Sequence, residues 1–220
     1  MIYFLGDLHG DFAKLDVLRQ QVEPDDVIIQ VGDFGFYPHT LANLSLEGFP
    51  CKVFAIDGNH EDYPFLAELV NRDEVSEFRP NMFYVPRGTV MEIEGQLIGF
   101  LGGACSVDIS RRKPYGRWYE EETITEDELQ RLVDAVGDRQ LDVLVAHAAP
   151  PELIRRNFAP LSHEYWGLPV DWVDHSSNRV AEAISTLNPK KFVCGHMHRS
   201  VVDGDMRILD INEIISIDQL

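Results

Sequence analysis

Histidines, carboxylates and one amide recur at one kind of place in this 220-residue chain. The most C-terminal example is Cys194-Gly195-His196-Met197-His198, in which two imidazoles follow a short apolar run. Imidazoles one residue apart, just past a strand, can project into one crevice and bind separate metal ions. Two histidines occur in many loops by chance, so this stretch gains meaning only from similar residues elsewhere in the chain: Asp7, His9, Asp33, Asn59 and His147.

Each of these residues follows an apolar run that predicts a buried strand. The five runs are residues 2–5, 27–29, 52–56, 141–146 and 191–194. In open α/β sheets, sites form in the crevice at the carboxyl ends of the strands, so the five segments would converge on one place. Four imidazoles with several carboxylate or amide oxygens exceed the needs of one tetrahedral zinc and suit two ions that share a ligand.

Taken singly, each residue also has a purely structural interpretation. Asp7 and Asp33 lie beside glycines and could form turns, and Gly58-Asn59 is a frequent turn pair. His147 could be a core histidine whose hydrogen bonds are satisfied. Five such coincidences at the same position relative to five strands are improbable, and the sequence therefore predicts a dinuclear metal site.

Composition predicts an ordinary globular protein, with 45% apolar and 25% charged residues. The length suits one domain over residues 1–220. No apolar run approaches the roughly 20 residues that span a bilayer, and the N-terminus predicts a strand in place of a signal peptide. Three widely spaced cysteines predict buried free thiols, which are typical of a reducing compartment. We therefore expect a cytoplasmic protein without a membrane partner, and the sequence sets no oligomeric state.

The formal net charge of −18 restricts the partners. Such a field opposes non-specific nucleic-acid binding, which depends on neutralising phosphates. It does not exclude a small phosphorylated substrate, because bound divalent ions invert the local sign of charge. A phosphorylated small molecule or nucleotide is thus favoured over a nucleic acid.

The middle of the chain lacks the repeated pattern of an apolar run followed by a possible metal ligand. Residues 91–93 and 97–101 predict a hairpin, and the capping box Thr125-Glu126-Asp127-Glu128 predicts a helix that ends at Val136. Residues 105–122 show no periodicity and predict a long ordered loop of the kind that is usually functional. Its basic and aromatic side chains could grip phosphate and stack on a base, although Glu120–Glu122 could equally neutralise a solvated loop. The candidates for substrate binding are Arg111, Arg112, Arg117 and Trp118.

The order of these motifs resembles that of the calcineurin-like metallophosphoesterases, and most closely their small bacterial and phage-type members. The matching motifs are Asp-x-His, Gly-Asp, Gly-Asn-His-Glu, a strand-terminal His and Gly-His-x-His, which together span Gly6 to His198. The resemblance implies an α/β fold in four αββα layers, with two mixed sheets flanked by helices. It places a dinuclear metal site at the C-terminal ends of the strands.

The resemblance also implies a set of ligands. Asp33 would bridge the two ions, and His60 would lie beside the substrate without binding metal. Manganese is the metal most expected, with iron, zinc or nickel as alternatives. The first ion would be held by Asp7, His9, Asp33 and His198, and the second by Asp33, Asn59, His147 and His196.

By the same resemblance, Asp33 and His60 are the catalytic residues of a phosphoester hydrolase. A hydroxide that bridges the two ions would attack phosphorus, and His60 would assist the leaving group. The segment from Gly32 to Pro38 departs from the family's protein phosphatases, because it lacks their arginine and second aspartate. The departure slightly favours diesters or a broad substrate range. A serine/threonine protein phosphatase and a non-catalytic binding module on the same fold remain alternatives.

Overall fold

Two six-stranded β-sheets pack face to face in the computed structural model, which describes residues 1–220. The first sheet has the order β12-β1-β2-β3-β5-β4. Strands β1, β2, β3 and β5 are parallel, and the two edge strands run antiparallel to their neighbours. Its strands are β1 (Ile2–Leu5), β2 (Val27–Gln30), β3 (Lys52–Ala55), β4 (Ser76–Arg79), β5 (Met82–Tyr84) and β12 (Ile214–Ser216).

The second sheet repeats this plan, with four parallel strands between two antiparallel edges. Its order is β10-β11-β9-β8-β7-β6, and β7, β8, β9 and β11 are parallel. Its strands are β6 (Thr89–Ile93), β7 (Gln96–Leu101), β8 (Val143–Ala146), β9 (Lys191–Cys194), β10 (Val201–Asp203) and β11 (Met206–Ile208).

Eight helices connect the strands, and none of them combines the length and apolar character needed to cross a membrane. Three short 3₁₀ turns lie at Lys113–Tyr115, Glu120–Glu122 and Ile217–Gln219. The helices are α1 (Ala13–Leu18), α2 (Pro38–Leu41), α3 (Tyr63–Leu69), α4 (Ile109–Arg112), α5 (Glu126–Val136), α6 (Pro151–Asn157), α7 (His163–Trp166) and α8 (His175–Leu187).

Three hydrophobic clusters define the layers. One cluster joins Phe4 and Ile29 of the first sheet to Phe100 and Val145 of the second, and so lies between the sheets. Alternate residues of the same strands pack outward against helices, because successive side chains of a strand point to opposite faces. The outer face of the first sheet contacts α1 to α3, and that of the second sheet contacts α5, α6 and α8. The predicted αββα sandwich is therefore confirmed.

Several local predictions are confirmed as well. All five predicted site strands form, and the hairpin over residues 91–101 is the β6–β7 pair. Thr125 and Glu128 form the predicted capping box, with each side chain accepting a hydrogen bond from the other residue's backbone. Helix α5 ends at Val136, followed by Gly137. All three cysteines are buried, as predicted.

Other local predictions are wrong in detail. The helical spacing of apolar residues between Asp11 and Val22 predicts a helix with Asp11 as its N-cap, but only α1 forms there and its N-cap is Phe12. The segment 105–122 is not wholly a loop, because it contains α4 and two 3₁₀ turns. Strands β4, β5 and β12 lack a clear pattern in the sequence and form by pairing at the far side and the edges of the first sheet.

A buried ion network holds the end of β3 to the second sheet's helical layer. The Arg87 guanidinium is 3% exposed and lies 2.7 Å from Asp57 Oδ2 and 3.2 Å from Glu128 Oε2. It also donates to the backbone carbonyls of residues 121–123. Burial raises the pKa of Asp57, but the charge and hydrogen bonds of Arg87, with smaller contributions from Arg72 and Tyr63, together outweigh burial and hold the pKa below its usual value. Arg87 therefore keeps a buried carboxylate charged two residues before Asn59.

We expect Arg87→Met to lower the free energy of unfolding by about 3–5 kcal/mol, because it leaves Asp57 buried without its counter-charge. Urea denaturation measures the change. Arg155→Met is the matched control, because Arg155 pairs with Glu152 at 3.7 Å on the exposed surface, and it should cost under about 1 kcal/mol. Equal small losses in both variants would contradict the role given to Arg87.

Candidate metal centre

The residues predicted to bind metal come together where the carboxyl ends of five strands meet. Strands β1, β2 and β3 of the first sheet and β8 and β9 of the second each end one to four residues before such a side chain. Facing sheets thus supply the two sides of one centre. The seven residues form two groups that share Asp33: Asp7, His9, Asp33 and His198, and Asp33, Asn59, His147 and His196.

The first group is compact. One potential ligand atom from each of Asp7, His9, Asp33 and His198 lies within 4.8 Å of all the others. His198 Nε2 is 3.2 Å from Asp7 Oδ2 and 2.9 Å from His9 Nε2. Two carboxylates and two imidazoles at this separation form a donor set that a divalent ion fits.

The second group surrounds the imidazole of His147. Its Nε2 is 3.2 Å from Asn59 Oδ1 and 3.4 Å from Asp33 Oδ1, while its Nδ1 lies 2.8 Å from the carbonyl oxygen of Val31. The Nδ1 contact orients the ring so that Nε2 faces the other donors. The ring of His196 lies 5.1 Å from that of His147.

Asp33 joins the two groups. Its Oδ1 accepts a hydrogen bond from the backbone N–H of His60 and lies near His147. Its Oδ2 faces the first group, 3.7 Å from His9 Nδ1, and is buried without any hydrogen-bond partner. A buried carboxylate oxygen without a partner is costly unless a cation satisfies it. This orphaned atom, among imidazoles and a second carboxylate, shows that the residues present fit a metal centre.

The backbone at the centre is conformationally unusual. His9, Asp33, His196 and His198 all have left-handed backbones, with φ of 49°, 53°, 68° and 48°. Non-glycine residues rarely adopt this region, and strain of this kind persists where the surrounding structure enforces it, commonly at functional sites. Half of the eight non-glycine residues with positive φ in the chain thus belong to the candidate site.

Glycine is required where backbones approach these carboxylates. A Cβ on Gly195 would overlap Asp7 Oδ1, and one on Gly58 would overlap Asp33 Oδ1. The glycines of the Gly-His-x-His and Gly-Asn-His-Glu motifs therefore make room for the carboxylates that they face. The sequence marked both motifs without showing this reason.

Burial and neighbouring charges set the protonation of the second group. Burial raises the pKa of Asp33, but attraction to His147, His60 and His9 together with the His147 hydrogen bond outweighs burial and holds the pKa well below the usual range. Burial lowers the pKa of His147, yet the same pair raises it to about 9. Burial lowers the pKa of His196 to about 3, with His147 adding to the effect. A neutral His196 imidazole is the form that can donate to a metal.

His60 lies beside the centre and outside both groups. Its ring centroid is 5.4 Å from that of His9, and its backbone N–H bonds to Asp33. Burial lowers the pKa of His60, with Asp33 opposing the shift. The ring makes no hydrogen bond with the protein, which leaves it available to a bound molecule.

Glu61 is a site residue that sequence reasoning missed. Its carboxylate accepts three backbone hydrogen bonds, from Phe34, Gly35 and Phe36, at 2.6–3.1 Å. These bonds fix the turn that carries Asp33. Burial raises the pKa of Glu61 well above its usual value, and Asp33 adds to that shift. Its place in the Gly-Asn-His-Glu motif was the available signal.

A second missed group holds Asn59. Ser106 Oγ accepts a hydrogen bond of 2.9 Å from Asn59 Nδ2, which turns the amide oxygen toward His147. Arg112 donates to Ser106 Oγ and to the carbonyl oxygen of Asn59, and Glu122 Oε1 accepts from the backbone of Ser106. Ser106, Arg112 and Glu122 are all buried. The segment 105–122 therefore fixes the orientation of Asn59, a predicted metal ligand.

The residues predicted to bind substrate occupy different surroundings. Arg112 is buried in the Asn59 network, so its guanidinium is already engaged by protein groups. Arg111 lies over the ring of Trp166 at 4.8 Å, and Trp118 carries Lys113 on one face at 4.7 Å. Arg117 is exposed. No hydrogen bond or ion pair joins Arg111, Arg117 or Trp118 to the metal residues, and their substrate roles stay predictions.

Comparison with known proteins agrees with this geometry. The family model of the calcineurin-like phosphoesterases matches residues 1–200. The chain belongs to that family. The calcineurin-like phosphoesterases are phosphoester hydrolases that bind divalent metals, in agreement with the Asp/His cluster.

Two individual proteins are similar to this calcineurin-like phosphoesterase. A lariat debranching enzyme of Entamoeba histolytica is 26% identical over 201 residues, which cover 88% of this chain and 53% of that enzyme. The chain thus spans about half the length of the curated relative that it matches. A solved chain, described as GAP50, the anchor in the inner membrane complex of Plasmodium, is 11% identical with a TM-score of 0.46. That match covers 94% of this chain and 70% of the other.

We expect Ser106→Ala to weaken binding of Mn²⁺ by about tenfold or more, because the Asn59 amide loses the acceptor that fixes its orientation. Isothermal titration of metal-free protein with MnCl₂ measures this directly. Ser110→Ala is the matched control, because Ser110 Oγ donates only to the Trp166 carbonyl on the exposed surface. Unchanged Mn²⁺ affinity in Ser106→Ala would show that Asn59 needs no such support.

Proposed function

We propose that this chain is a phosphoesterase in which two divalent ions, most favourably Mn²⁺, are held by the two groups that share Asp33. The observation that carries the proposal is Asp33, whose orphaned Oδ2 faces the first group while its Oδ1 faces His147 of the second. When bound, such a pair of ions supplies Lewis-acid stabilisation of phosphoryl oxygens and a water of lowered pKa. The proposed ligands are Asp7, His9, Asp33, Asn59, His147, His196 and His198.

The protein's own contribution is to orient these donors and to exclude water beneath them. Asp7, Asp33 and His147 are fully buried, so the oxygens and nitrogens that would contact metal cannot turn to solvent. His60 supplies a ring N–H for the oxygen of the departing alcohol. Because burial lowers its pKa, the ring is neutral near pH 7 and donates a hydrogen bond to that oxygen as the ester bond breaks, while the departing oxygen takes its proton from water.

The substrate side favours a small diester or a broad range of esters. Tyr37 lies where the family's protein phosphatases carry an arginine, so a dedicated grip for a phosphomonoester is missing. The charge of −18 favours a small phosphorylated molecule or nucleotide over a nucleic acid. We further propose one domain over residues 1–220, a cytoplasmic location, and substrate contacts from Arg111, Arg117 and Trp118.

We expect Mn²⁺-dependent hydrolysis of bis-p-nitrophenyl phosphate, at a rate equal to or above that of p-nitrophenyl phosphate. Asp33→Asn and His147→Ala should each lose most of this activity and bind less metal, since both weaken the second group. Release of p-nitrophenol and metal analysis of the purified protein are the measurements. No turnover of either ester together with no bound metal would favour a non-catalytic binding module.

We expect His60→Ala to retain both ions and to slow turnover by roughly 10²–10⁴, the usual contribution of general acid–base assistance. His39→Ala is the control, because His39 is exposed on α2 and belongs to neither group. Metal content is measured beside the rate. Loss of metal from His60→Ala would make His60 a ligand, and an unchanged rate would remove it from the mechanism.

A further inference from the structure

A cleft of about 500 Å³ lies between the 105–125 segment and residues 169–175, and none of the proposed metal ligands lines it. Two tryptophans, Trp118 and Trp172, belong to its lining, together with Ile109 and Pro169. Both indoles are partly exposed. Lys113 covers one face of Trp118 but does not line the cleft, so it adds no positive charge to the lining.

The cleft is next to the metal centre. Ser106 lines it, and Ser106 Oγ is the atom that accepts the 2.9 Å hydrogen bond from Asn59. Glu122 also lines the cleft, and its carboxylate is 3.2 Å from Arg112, which neutralises it. A molecule in the cleft would therefore lie one residue away from a proposed ligand. The phosphate of such a molecule has its counter-charge at the metal centre and none in the cleft, which lacks Lys and Arg.

Carboxylates and hydroxyls, together with His175, form most of the polar lining. Glu120 and Asp171 are exposed carboxylates in the wall, and Thr123 and Thr125 add hydroxyls. Flat indoles bind flat rings by stacking, and carboxylates accept hydrogen bonds from N–H groups. A ring with an exocyclic amino group satisfies both features. The volume suits such a ring with its sugar and is large for a small organic cation, which is the other occupant that tryptophan and carboxylate can attract.

We propose that this cleft binds the base of a nucleotide ester, with its phosphate at the metal centre and with amino-bearing bases preferred. The inference rests on the proposed phosphoesterase function, because it places the phosphate at the two ions. It narrows the substrate from any small phosphoester to a nucleotide, and it assigns Trp172 and Asp171 to substrate recognition.

Binding to the Mn²⁺-loaded protein, measured by isothermal titration, tests the inference. The probes are the methylene phosphonate analogues of AMP and IMP, which resist hydrolysis, and methylphosphonate as the base-free probe. We expect the AMP analogue to bind at least tenfold more tightly than methylphosphonate, and about three- to tenfold more tightly than the IMP analogue. Trp118→Ala and Trp172→Ala should each weaken the AMP analogue by about ten- to hundredfold, the scale of base–aromatic stacking.

Trp166→Ala is the matched control, because Trp166 is the third tryptophan of the chain and does not line the cleft. It should leave the affinity for the AMP analogue within about twofold. Trp118→Phe and Trp172→Phe keep an aromatic ring and should restore most of the affinity, which separates stacking from a loss of folding. Equal affinities for the AMP analogue and methylphosphonate would overturn the inference.

Two further results separate this inference from the proposed function. Binding of the AMP analogue that depends on Trp118 and Trp172, without hydrolysis of bis-p-nitrophenyl phosphate, would uphold the cleft and refute the catalytic proposal. Hydrolysis of bis-p-nitrophenyl phosphate, together with equal affinities for the AMP analogue and methylphosphonate, would uphold the catalytic proposal and refute base binding in the cleft. Saturable binding of tetramethylammonium chloride that is lost in Trp118→Ala, with no preference for the AMP analogue over methylphosphonate, would show that the cleft binds an organic cation and not a nucleotide base.

Discussion

The burial of carboxylate charge between two sheets is the constraint on which this structure depends. Asp7 and Asp33 are fully buried where the carboxyl ends of the strands meet. Their negative charge is compatible with a folded chain only if imidazoles, backbone N–H groups or cations surround it. The parallel order of the central strands meets this condition, because it brings His147 and His196 of one sheet against the carboxylates of the other.

Support for this charge extends outward through successive shells of hydrogen bonds. Glu61 holds the turn that carries Asp33, and Ser106 with Arg112 holds the amide that faces His147. Farther out, Arg87 links the end of β3 to α5 and to residues 121–123. Each of these contacts gives hydrogen-bond partners to polar groups that lie buried near the centre. Rigidity at the centre thus comes from side chains on several separate segments.

One segment of the chain contacts both the proposed metal centre and the aromatic cleft. The segment 105–122 contacts Asn59 and also forms a wall of the aromatic cleft, and Ser106 takes part in both. A molecule in that cleft would contact Ser106, which also orients a proposed ligand. The strongly acidic chain has few means to hold phosphate by itself, so bound cations at the centre would supply most of that attraction. Substrate choice is then left to shape, stacking and hydrogen bonding in the cleft.

The sequence by itself determined the residue types and the strands that carry the centre. Apolar runs followed by Asp7, Asp33, Asn59 or His147 are local patterns, as is the Thr125–Glu128 capping box, and local patterns are readable without a fold. The order of motifs then identified the sandwich. These predictions hold because a strand buried on both faces needs a continuous apolar run wherever it is placed.

The tertiary structure alone decided what lies around those residues. Edge strands such as β12 form because a neighbouring strand is there to pair with, and their own sequence is undistinguished. Arg112 is of a residue type that often binds phosphate, yet its buried guanidinium donates a hydrogen bond to the carbonyl oxygen of Asn59. Trp172 is 54 residues from Trp118 along the chain, and only folding places both on one cleft. Contacts between distant segments depend on the packing of every layer between them, and no local spacing encodes them.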